Sequence, residues 1–275
     1  MPAFHRAVFT AMELFKMTTA ASRLELLEDL LPVVRQAGAL IMEIYATDFE
    51  VRGKEDASPV TAADEKAEAL ILPALAELTS EIPVIAEEAV AAGRVPAIAE
   101  RFWLVDPLDG TREFISRNGE FTVNIGLVEH GQPVLGVVFA PALDRLFAGA
   151  ISGGAFVEKD GVRQPISVRK PPDEGLTIVA SRSHGDPAAL EAFLQGRRVA
   201  HQRSAGSSLK LCLVAAGEAD LYPRLGRTME WDIAAGHAVL AAAGGRITRV
   251  DGEPLTYGKP DFANPHFVAW GFAGT

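Results

Sequence analysis

The sequence predicts an α/β protein in which helices and sheets are stacked in layers, with a cleft between two halves. Three observations support this prediction. Two helical patterns open the chain, short strands joined by tight turns fill its middle, and strands alternate with helices in its last third. A polar, proline-rich connection at 170–175 separates the last two parts. We therefore expect an N-terminal α+β domain at 22–170, a C-terminal α/β domain at 171–275 and a poorly ordered extension at 1–21.

The first two helices are predicted from capping patterns and apolar periodicity. Ser22-Arg23-Leu24-Glu25 is a capping box and should open a helix whose apolar positions are 24, 27, 30, 31, 34, 37, 41 and 44. Pro32 lies within that pattern and should kink the helix. A second helix is expected from about Ala63 to Leu78, after a loop that ends at Ser58.

The remaining elements are predicted from alternation and turn residues. Phe121–Glu129 and Pro133–Ala140 should form antiparallel strands joined at His130-Gly131. Asp160-Gly161 is a hairpin turn. Further strands are expected at 145–150, 154–159, 164–168, 176–180, 198–203, 219–222 and 246–250. Further helices are expected near 187–195, 207–217 and 231–243.

The composition limits the class of partner. The chain has 275 residues, 48% hydrophobic and 23% charged, with a net charge of -10. This acidity argues against a nucleic-acid polymer or an anionic membrane surface as partner, because both require basic patches. An anionic small molecule would need metal ions or local cations to overcome the overall charge. The composition does not indicate an oligomeric state.

The sequence also bears on localisation. Cys212 is the single cysteine, which excludes an intramolecular disulfide and fits a reducing cytosol. No apolar run reaches the length of a membrane span, and the first sixteen residues lack the pattern of a signal peptide. We expect a cytoplasmic protein. Peripheral association with the inner face of the membrane, and Met17 as an alternative start, stay open.

The stretch Asp106-Pro107-Leu108-Asp109-Gly110-Thr111 carries the strongest chemical signal in the chain. It follows a short apolar strand, and it brings two carboxylates to an edge of a sheet where α/β proteins bind ligands. Pro107 has no N–H to compete for the acids, and Gly110 allows a sharp turn that directs the Leu108 carbonyl toward them. These are oxygen ligands of the kind that Mg²⁺ prefers, and Thr111 adds a hydroxyl beside them. The same letters also fit an ordinary turn.

Other segments favour the metal interpretation. An apolar strand at 82–86 ends in the acidic pair Glu87-Glu88, Asp64 begins the second helix, and Trp231-Asp232 opens a helix of small residues. Three motifs of this chain resemble, in the same order, the signatures of the inositol monophosphatase superfamily. They are an acidic pair, then Asp-Pro-hydrophobic-Asp-Gly-Thr, then Trp-Asp-x-Ala-Ala-Gly. The resemblance covers about residues 22–270. It implies Mg²⁺-dependent, Li⁺-sensitive phosphatase activity and an αβαβα sandwich of the inositol monophosphatase and fructose-1,6-bisphosphatase type.

Within that superfamily, several details resemble the bisphosphate nucleotidase branch. Residues 109–115 match its basic-Glu-Phe sequence, where inositol phosphatases usually carry Thr-Asn-Phe. The similarity continues at 118–125, 181–184, 206–210 and 221–224. The resemblance therefore implies hydrolysis of the 3′-phosphate of adenosine 3′,5′-bisphosphate, a by-product of sulfate assimilation, to AMP and phosphate.

The resemblance also implies roles for individual residues. Glu87, Asp106 and the Leu108 carbonyl would hold one Mg²⁺, and Asp106, Asp109 and Asp232 another, so two or more ions are expected. Asp64 and Thr111 would act in catalysis by orienting and deprotonating the attacking water. Contacts with the substrate are expected from Glu87, Leu108, Asp109, Gly110, Thr111, His184, Ser207, Lys210, Arg224 and Asp232.

Some of these residues can also be interpreted from their local setting. Gly206-Ser207-Ser208 leads into a helix that carries Lys210, and free N–H groups at a helix start favour phosphate. Serine as an ordinary N-cap fits the same letters. Arg224 follows an apolar strand, and His184 lies in a loop, where a histidine is often only solvated.

Structural roles compete for four acidic residues. Asp64 falls three residues after Thr61 and could cap its helix, as Asp232 could cap the helix that follows it. Glu88 could be a solvated neighbour of Glu87, and Glu230 could tune substrate fit or face solvent. Spacing alone does not separate these roles; the order of the three motifs favours the functional ones for Asp64 and Asp232.

Two other functions compete with the nucleotidase interpretation. One is a phosphatase of the same fold that acts on inositol or fructose phosphates. Arg112-Glu113-Phe114 and the group Ser207, Lys210 and Arg224 argue against it. The other is a catalytically silent regulator that binds metal or nucleotide, which is disfavoured because every expected ligand is present.

Overall fold

The fold consists of helices and two large sheets stacked in the order α-β-α-β-α. The computed structural model describes residues 11–53, 59–181 and 187–272, with side chains from Ser22 onward. A seven-stranded sheet and a five-stranded sheet lie on either side of a central pair of helices in this part of the chain. The layered α/β fold expected from the sequence is confirmed.

Two helices cover the outer face of the first sheet. They are α1, Ala11–Tyr45, and α2, Ala62–Leu78. Since α1 begins at Ala11, Ser22 lies inside the helix, and its prediction as the helix start is wrong. The letters from Ala11 to Ala21 contain strong helix formers and no Gly or Pro, so nothing in them stops the helix. The first ten residues of the predicted extension lie outside the described residues.

The first sheet is antiparallel except at one edge. Its strands follow one another in chain order, with β3 and β4 parallel and the rest antiparallel. They are β3 Val84–Ala86, β4 Arg101–Asp109, β5 Thr122–Glu129, β6 Gln132–Ala140, β7 Arg145–Ala150, β8 Gly154–Lys159 and β9 Val162–Ile166. Three short elements flank the sheet near the acidic motifs: the hairpin β1 Val51–Gly53 with β2 Pro59–Thr61, and helices α3 Glu87–Ala91 and α4 Thr111–Ile115.

Strand β4 is longer than the sequence suggests. It continues through Asp106 and Pro107 to Asp109, and its register with β5 is irregular between the two acids. Such irregularities re-aim side chains next to functional sites. Gly110 then takes a left-handed conformation with φ of 91° and begins α4. The two carboxylates therefore belong to the end of a buried strand rather than to an exposed turn.

The second sheet is mixed and lies in the C-terminal half. Its order is β11 Val199–Ala205, β10 Leu176–Ser181, β12 Leu221–Arg224, β16 Phe267–Trp270 and β14 Arg246–Arg249. Strand β10 is parallel to β11 and β12, whereas β16 is antiparallel to both of its neighbours. A separate two-stranded pair joins β13 Thr228–Met229, which precedes the last helix, to β15 Ala263–Asn264, which follows it.

Three helices complete the layers: α5 Pro187–Leu194, α6 Leu209–Ala215 and α7 Glu230–Ala242. Helices α6 and α7 lie between the sheets and share one hydrophobic core with the inner faces of both. Phe193 and Leu194 of α5 pack on the outer face of the second sheet. No helix among the described residues combines the length and apolar character that a membrane crossing requires.

A row of glycines allows α7 to contact the first sheet directly. Gly126, Gly136 and Gly149 are aligned in register across β5, β6 and β7. A Cβ atom on Gly136 would lie 2.2 Å from the carbonyl oxygen of Ala235 in α7, and one on Gly126 would lie 2.8 Å from the nitrogen of Ala235. The helix that carries Asp232 is therefore seated against the sheet that carries Asp106.

The connection between the sheets is tied to the C-terminal half. Arg169 donates from Nε and Nη2 to the two oxygens of the fully buried Asp220, at 2.8 and 2.9 Å. Asp220 also accepts the Thr177 N–H at 2.7 Å. The last strand of the first sheet ends at Ile166, and the first strand of the second sheet begins at Leu176. We therefore propose a domain division after residue 170, between these two strands.

Candidate active site

A cavity of about 250 Å³ lies where the two halves meet, at the end of β4 and the start of α6 and α7. Most of the residues expected from the sequence line it. They are Glu87, Asp106, Leu108, Asp109, Gly110, Thr111, Ser207, Lys210, Arg224 and Asp232. His184 lies outside the described residues.

Three carboxylates from separate elements converge on this cavity. Glu87 is the first residue of α3, Asp106 lies in β4, and Asp232 lies in the first turn of α7. One oxygen from each lies within 4.8 Å of the others. Asp106 is only 2% exposed, and its Oδ1 accepts the Leu108 N–H at 3.0 Å. A set of clustered carboxylate oxygens fits a hard divalent cation.

Asp109 lies beside this cluster and is held by the second half of the chain. Its Oδ2 accepts the Ser208 N–H at 2.6 Å and the Asn124 side-chain amide at 3.2 Å. Burial raises the pKa of the Asp109 carboxyl, while the charge of Lys210 and these hydrogen bonds oppose that shift. One oxygen of Asp109 is thus fixed in direction.

Asp232 caps its helix and also lies at the cavity. Its Oδ2 accepts the Met229 N–H at 2.8 Å, which caps α7, and the residue also lines the cavity. Burial raises its pKa well above the usual range, and the negative charges of Asp109 and Glu87 raise it further. A bound cation would relieve this repulsion, so the electrostatics of the cluster also fit a metal site.

Asp64 likewise combines a cap with a contact to the site. Its Oδ2 accepts the N–H and the hydroxyl of Thr61, at 2.8 and 2.7 Å, while its Oδ1 accepts the Thr111 hydroxyl at 3.2 Å. Burial raises the pKa of Asp64, and the Thr61 hydrogen bonds oppose the shift. Of the pair, Thr111 lines the cavity, so Asp64 is connected to the cavity through its hydrogen bond with that hydroxyl.

Basic side chains line the same cavity. Lys210 Nζ donates to the carbonyl oxygens of Ser207 and Ala205, at 2.6 and 3.3 Å, and burial lowers its pKa to about 8. Arg224 Nη2 donates to the Arg227 carbonyl at 2.8 Å. Among the described residues that line the cavity, Arg112, Lys210, Arg224 and Arg227 are basic. These local cations offset the acidity of the chain at the point where an anion would bind.

The segment before α6 differs from its prediction. Helix α6 begins at Leu209, and the N–H groups before it bind carboxylates of the first half. Gly206 donates to Glu120 at 2.8 Å, and Ser208 donates to Asp109 at 2.6 Å. The expectation that these N–H groups are free for phosphate is therefore wrong. The segment instead joins the two halves, and Ser207 and Lys210 still line the cavity.

Two other acidic residues have structural surroundings. Glu230 is fully buried and accepts the N–H groups of Gly258 and Lys259, at 2.8 and 2.9 Å, so the expectation that it faces solvent is wrong. Glu88 does not line the cavity in the described part of the chain, and its N–H donates to Glu68 at 2.8 Å. Trp231, next to Asp232, packs against Phe262.

Sequence reasoning overlooked several residues at the site. Tyr222 lines the cavity with its ring 5.5 Å from Lys210 Nζ. It stands two residues before Arg224 in β12, so the alternation of a strand would have placed both on one face. Arg227 also lines the cavity. It follows the strand in a short connection, and no spacing in the sequence indicates its position.

The fold and this cavity define a class of protein. The chain belongs to the inositol monophosphatase family, whose pattern matches residues 23–271. Within the family, the chain is 49% identical over 247 residues to the 3'(2'),5'-bisphosphate nucleotidase CysQ of Escherichia coli O157:H7, covering 88% of this chain and 98% of the relative. It is 39% identical over 250 residues to the CysQ of Buchnera aphidicola subsp. Acyrthosiphon pisum, covering 89% and 93%.

Solved structures give the same class. CysQ from Bacteroides thetaiotaomicron superimposes with a TM-score of 0.73 at 38% identity, covering 94% of this chain and 98% of that chain. The inositol monophosphatase from Anabaena (Nostoc) sp. PCC 7120 superimposes with a TM-score of 0.71 at 28% identity, covering 91% and 92%. The two folds are equally similar to this one, so sequence identity carries more information about substrate than the fold does.

Proposed function

We propose that this chain is a Mg²⁺-dependent 3′(2′),5′-bisphosphate nucleotidase that converts adenosine 3′,5′-bisphosphate to AMP and phosphate, a reaction linked to sulfate assimilation. The observation that carries the proposal is the presence, within one cavity, of the clustered carboxylates Glu87, Asp106 and Asp232 and the basic side chains Lys210 and Arg224. Such a site can bind a phosphate ester through metal ions held by the carboxylates and through the cationic side chains. The identity with CysQ relatives supports this choice of substrate.

The carboxylate cluster would hold the metal ions. Glu87, Asp106 and the Leu108 carbonyl would bind one Mg²⁺, and Asp106, Asp109 and Asp232 another. Bound there, the ions would neutralise phosphoryl oxygens, lower the pKa of a water and stabilise the leaving oxygen. Asp106 would be the shared ligand, because one of its oxygens lies within 4.8 Å of oxygens of both Glu87 and Asp232.

The proton of the attacking water would pass to the pair formed by Thr111 and Asp64. Thr111 Oγ1 already donates to Asp64 Oδ1 at 3.2 Å. The other Asp64 oxygen is held by Thr61, so the carboxylate presents a single oxygen toward Thr111. The raised pKa of this buried carboxyl suits a group that must accept a proton.

The basic side chains of the cavity would bind the nucleotide. Lys210 and Arg224, with Thr111 and Ser207, would contact its phosphates and sugar, and His184 is assigned a further contact by the family resemblance. The buried side chains of Lys210 and Arg224 are 6% and 7% exposed. Their charges are poorly screened by solvent, so they should contribute strongly to binding an anion.

A substrate comparison tests the proposal. Phosphate release is measured from adenosine 3′,5′-bisphosphate, inositol 1-phosphate and fructose 1,6-bisphosphate, each with Mg²⁺ and with a chelator. We expect the highest kcat/KM for the nucleotide and loss of activity with the chelator.

Two results would overturn the proposal. A preference for one of the sugar phosphates would assign the chain to another activity of the same fold. Absence of phosphate release from all three substrates, by protein that binds Mg²⁺, would indicate a silent regulator.

A further inference from the structure

A buried amide connects the Asp109 carboxylate with the main chain of Asp232, and both residues are proposed ligands of the second metal ion. Asn124 lies in β5 and is fully buried. Its Nδ2 donates to Asp109 Oδ2 at 3.2 Å and to Ser208 Oγ at 3.0 Å. Both hydrogens of the amide are thus directed at neighbours of the cavity, one in each half of the chain.

Ser208 extends this connection to the main chain of Asp232. Its hydroxyl donates to the main-chain carbonyl of Asp232, and its N–H donates to Asp109 Oδ2 at 2.6 Å. Asn124, Asp109, Ser208 and Asp232 therefore form one hydrogen-bonded chain across the junction of β4, β5, α6 and α7. A rotation of the Asp109 carboxylate, or a shift of the Asp232 main chain, would break at least one of these bonds.

The chemistry of the amide suits this position. A carboxylate that accepts two N–H donors at one oxygen cannot rotate freely, and its second oxygen keeps a fixed direction. Groups that orient a metal ligand in this way contribute to metal affinity without touching the ion. An amide is also neutral, so it orients Asp109 without adding negative charge to a cluster that already repels itself.

We infer that Asn124 is a positioning residue that orients the Asp109 carboxylate directly and, through Ser208, holds the main chain of Asp232 in place for the second metal ion. The inference rests on the proposed function, because it assigns that ion to those two carboxylates. It predicts an effect on metal binding and turnover, with little effect on the affinity for the nucleotide, since Asn124 does not line the cavity in the described part of the chain.

The test compares Asn124→Leu with Thr122→Val. Leucine nearly matches the shape of asparagine and lacks its donors. Thr122 is two residues away on the same face of β5, is fully buried and lies opposite Asp109 in register. Its Oγ1 has no hydrogen-bond partner among the described residues, so Thr122→Val measures the effect of a buried apolar change at the same place.

Mg²⁺ binding is measured by calorimetry without substrate, and kcat and KM are measured by phosphate release. We expect Asn124→Leu to weaken Mg²⁺ binding and to lower kcat by roughly 10- to 100-fold, with KM for the nucleotide changed less than threefold. We expect Thr122→Val to resemble the wild type. Equal Mg²⁺ affinity in wild type and Asn124→Leu, or equal losses in both variants, would overturn the inference.

Ser208→Ala provides a second variant if Asn124→Leu does not fold. It removes the hydroxyl between Asn124 and Asp232 and keeps the N–H that binds Asp109. We expect a smaller loss of Mg²⁺ affinity, and unaltered affinity would count against the inference. Failure of the proposed function would be distinct, because the wild type would then bind Mg²⁺ without hydrolysing the nucleotide.

Discussion

Asp109, at the end of a strand in the first sheet, accepts the N–H of Ser208, at the start of a helix in the second half, at 2.6 Å. A parallel bond joins Glu120 to the N–H of Gly206 at 2.8 Å. Buried hydrogen bonds to charged acceptors are short and strong. The two halves of the cavity are therefore fixed to each other by the acidic residues of one half and the backbone of the other.

Replacement of one proposed ligand should severely lower turnover without unfolding the chain. For Asp109→Asn we expect kcat to fall by about a hundredfold or more, because losing one ligand charge weakens a cation whose stabilisation of the transition state amounts to several kcal/mol. Activity is measured over a Mg²⁺ titration, with Glu88→Gln as the control carboxylate outside the cavity. Near-normal activity of Asp109→Asn at saturating Mg²⁺ would contradict the assignment.

Lithium should inhibit the reaction. The carboxylate cluster offers only oxygen ligands to a cation, and Li⁺ is a small, hard ion that could replace one Mg²⁺ with a lower charge. It would then retain the product without supporting turnover. An activity titration with LiCl at fixed Mg²⁺ measures the effect, with NaCl at equal concentration as the control for ionic strength. Identical responses to the two salts would argue for a different second-metal site.

Lys210 should determine preference for the bisphosphate. A hydrogen bond to a charged group contributes about 1.5–3 kcal/mol, which corresponds to roughly 10- to 150-fold in binding. Lys210→Ala should therefore raise KM for adenosine 3′,5′-bisphosphate by up to that factor, with a much smaller loss of kcat than in Asp109→Asn. Activity toward a small monophosphate should change little.

The measurement is the ratio of kcat/KM for the two substrates in wild type and Lys210→Ala. Lys210 Nζ also donates to two backbone carbonyls. A purely structural role would therefore lower both activities together and leave the ratio unchanged, and that outcome would remove Lys210 from the substrate site.

A buried histidine should make the fold sensitive to acid. His237 is 6% exposed, its Nδ1 lies 2.9 Å from the Tyr257 hydroxyl, and burial lowers its pKa to about 3. Between that value and the pKa of about 6.5 in the unfolded chain, the unfolded state binds more protons. The free energy of unfolding should therefore fall as the pH falls through this window, by about 1.4 kcal/mol per pH unit from this group.

Urea denaturation at pH 7 and pH 5 measures this dependence. Because carboxyl groups also titrate on acidification, the informative quantity is the difference between the wild type and His237→Phe. The variant should lose less stability between the two pH values. Equal losses would mean that His237 is protonated in the folded protein or accessible to water.

The glycine row can be tested by adding one methyl group. Gly136→Ala would place a Cβ 2.2 Å from the Ala235 carbonyl oxygen, so α7 or β6 must move. Overpacking of this kind costs about 1–3 kcal/mol. Gly53→Ala is the control, because its Cβ would meet nothing within 4 Å. Thermal denaturation measures stability, and Gly136→Ala should lower the melting temperature and the affinity for Mg²⁺, whereas Gly53→Ala should change neither.

Most strands of the first sheet could be predicted because turn residues in the sequence mark their ends. Strands β7 and β8 have the predicted ends, and the turn at Asp160-Gly161 is where the sequence indicates it. Strand β16 was overlooked because four apolar residues alone do not distinguish a strand from a buried loop. The start of α1 was misplaced because the letters of a capping box also fit the interior of a helix.

The site residues that belong to short sequence motifs could be predicted. Asp106, Asp109 and Asp232 lie in compact patterns, and all three reach the cavity. The supports of those residues were not predictable, because Asn124 and Ser208 are 84 positions apart and their hydrogen bond depends on how the halves pack. The N–H groups of Gly206 and Ser208 were misassigned for the same reason, since their acceptors come from the other half.

The row of glycines beneath α7 also bears on how tolerant the protein is to change. These residues have no functional group, lie away from the cavity lining, and would pass unnoticed in a search for reactive side chains. Yet the distance between Asp106 and Asp232 depends on how closely α7 packs on the first sheet. In a library of random variants, we expect substitutions in this row to inactivate the protein as often as substitutions of the carboxylates themselves.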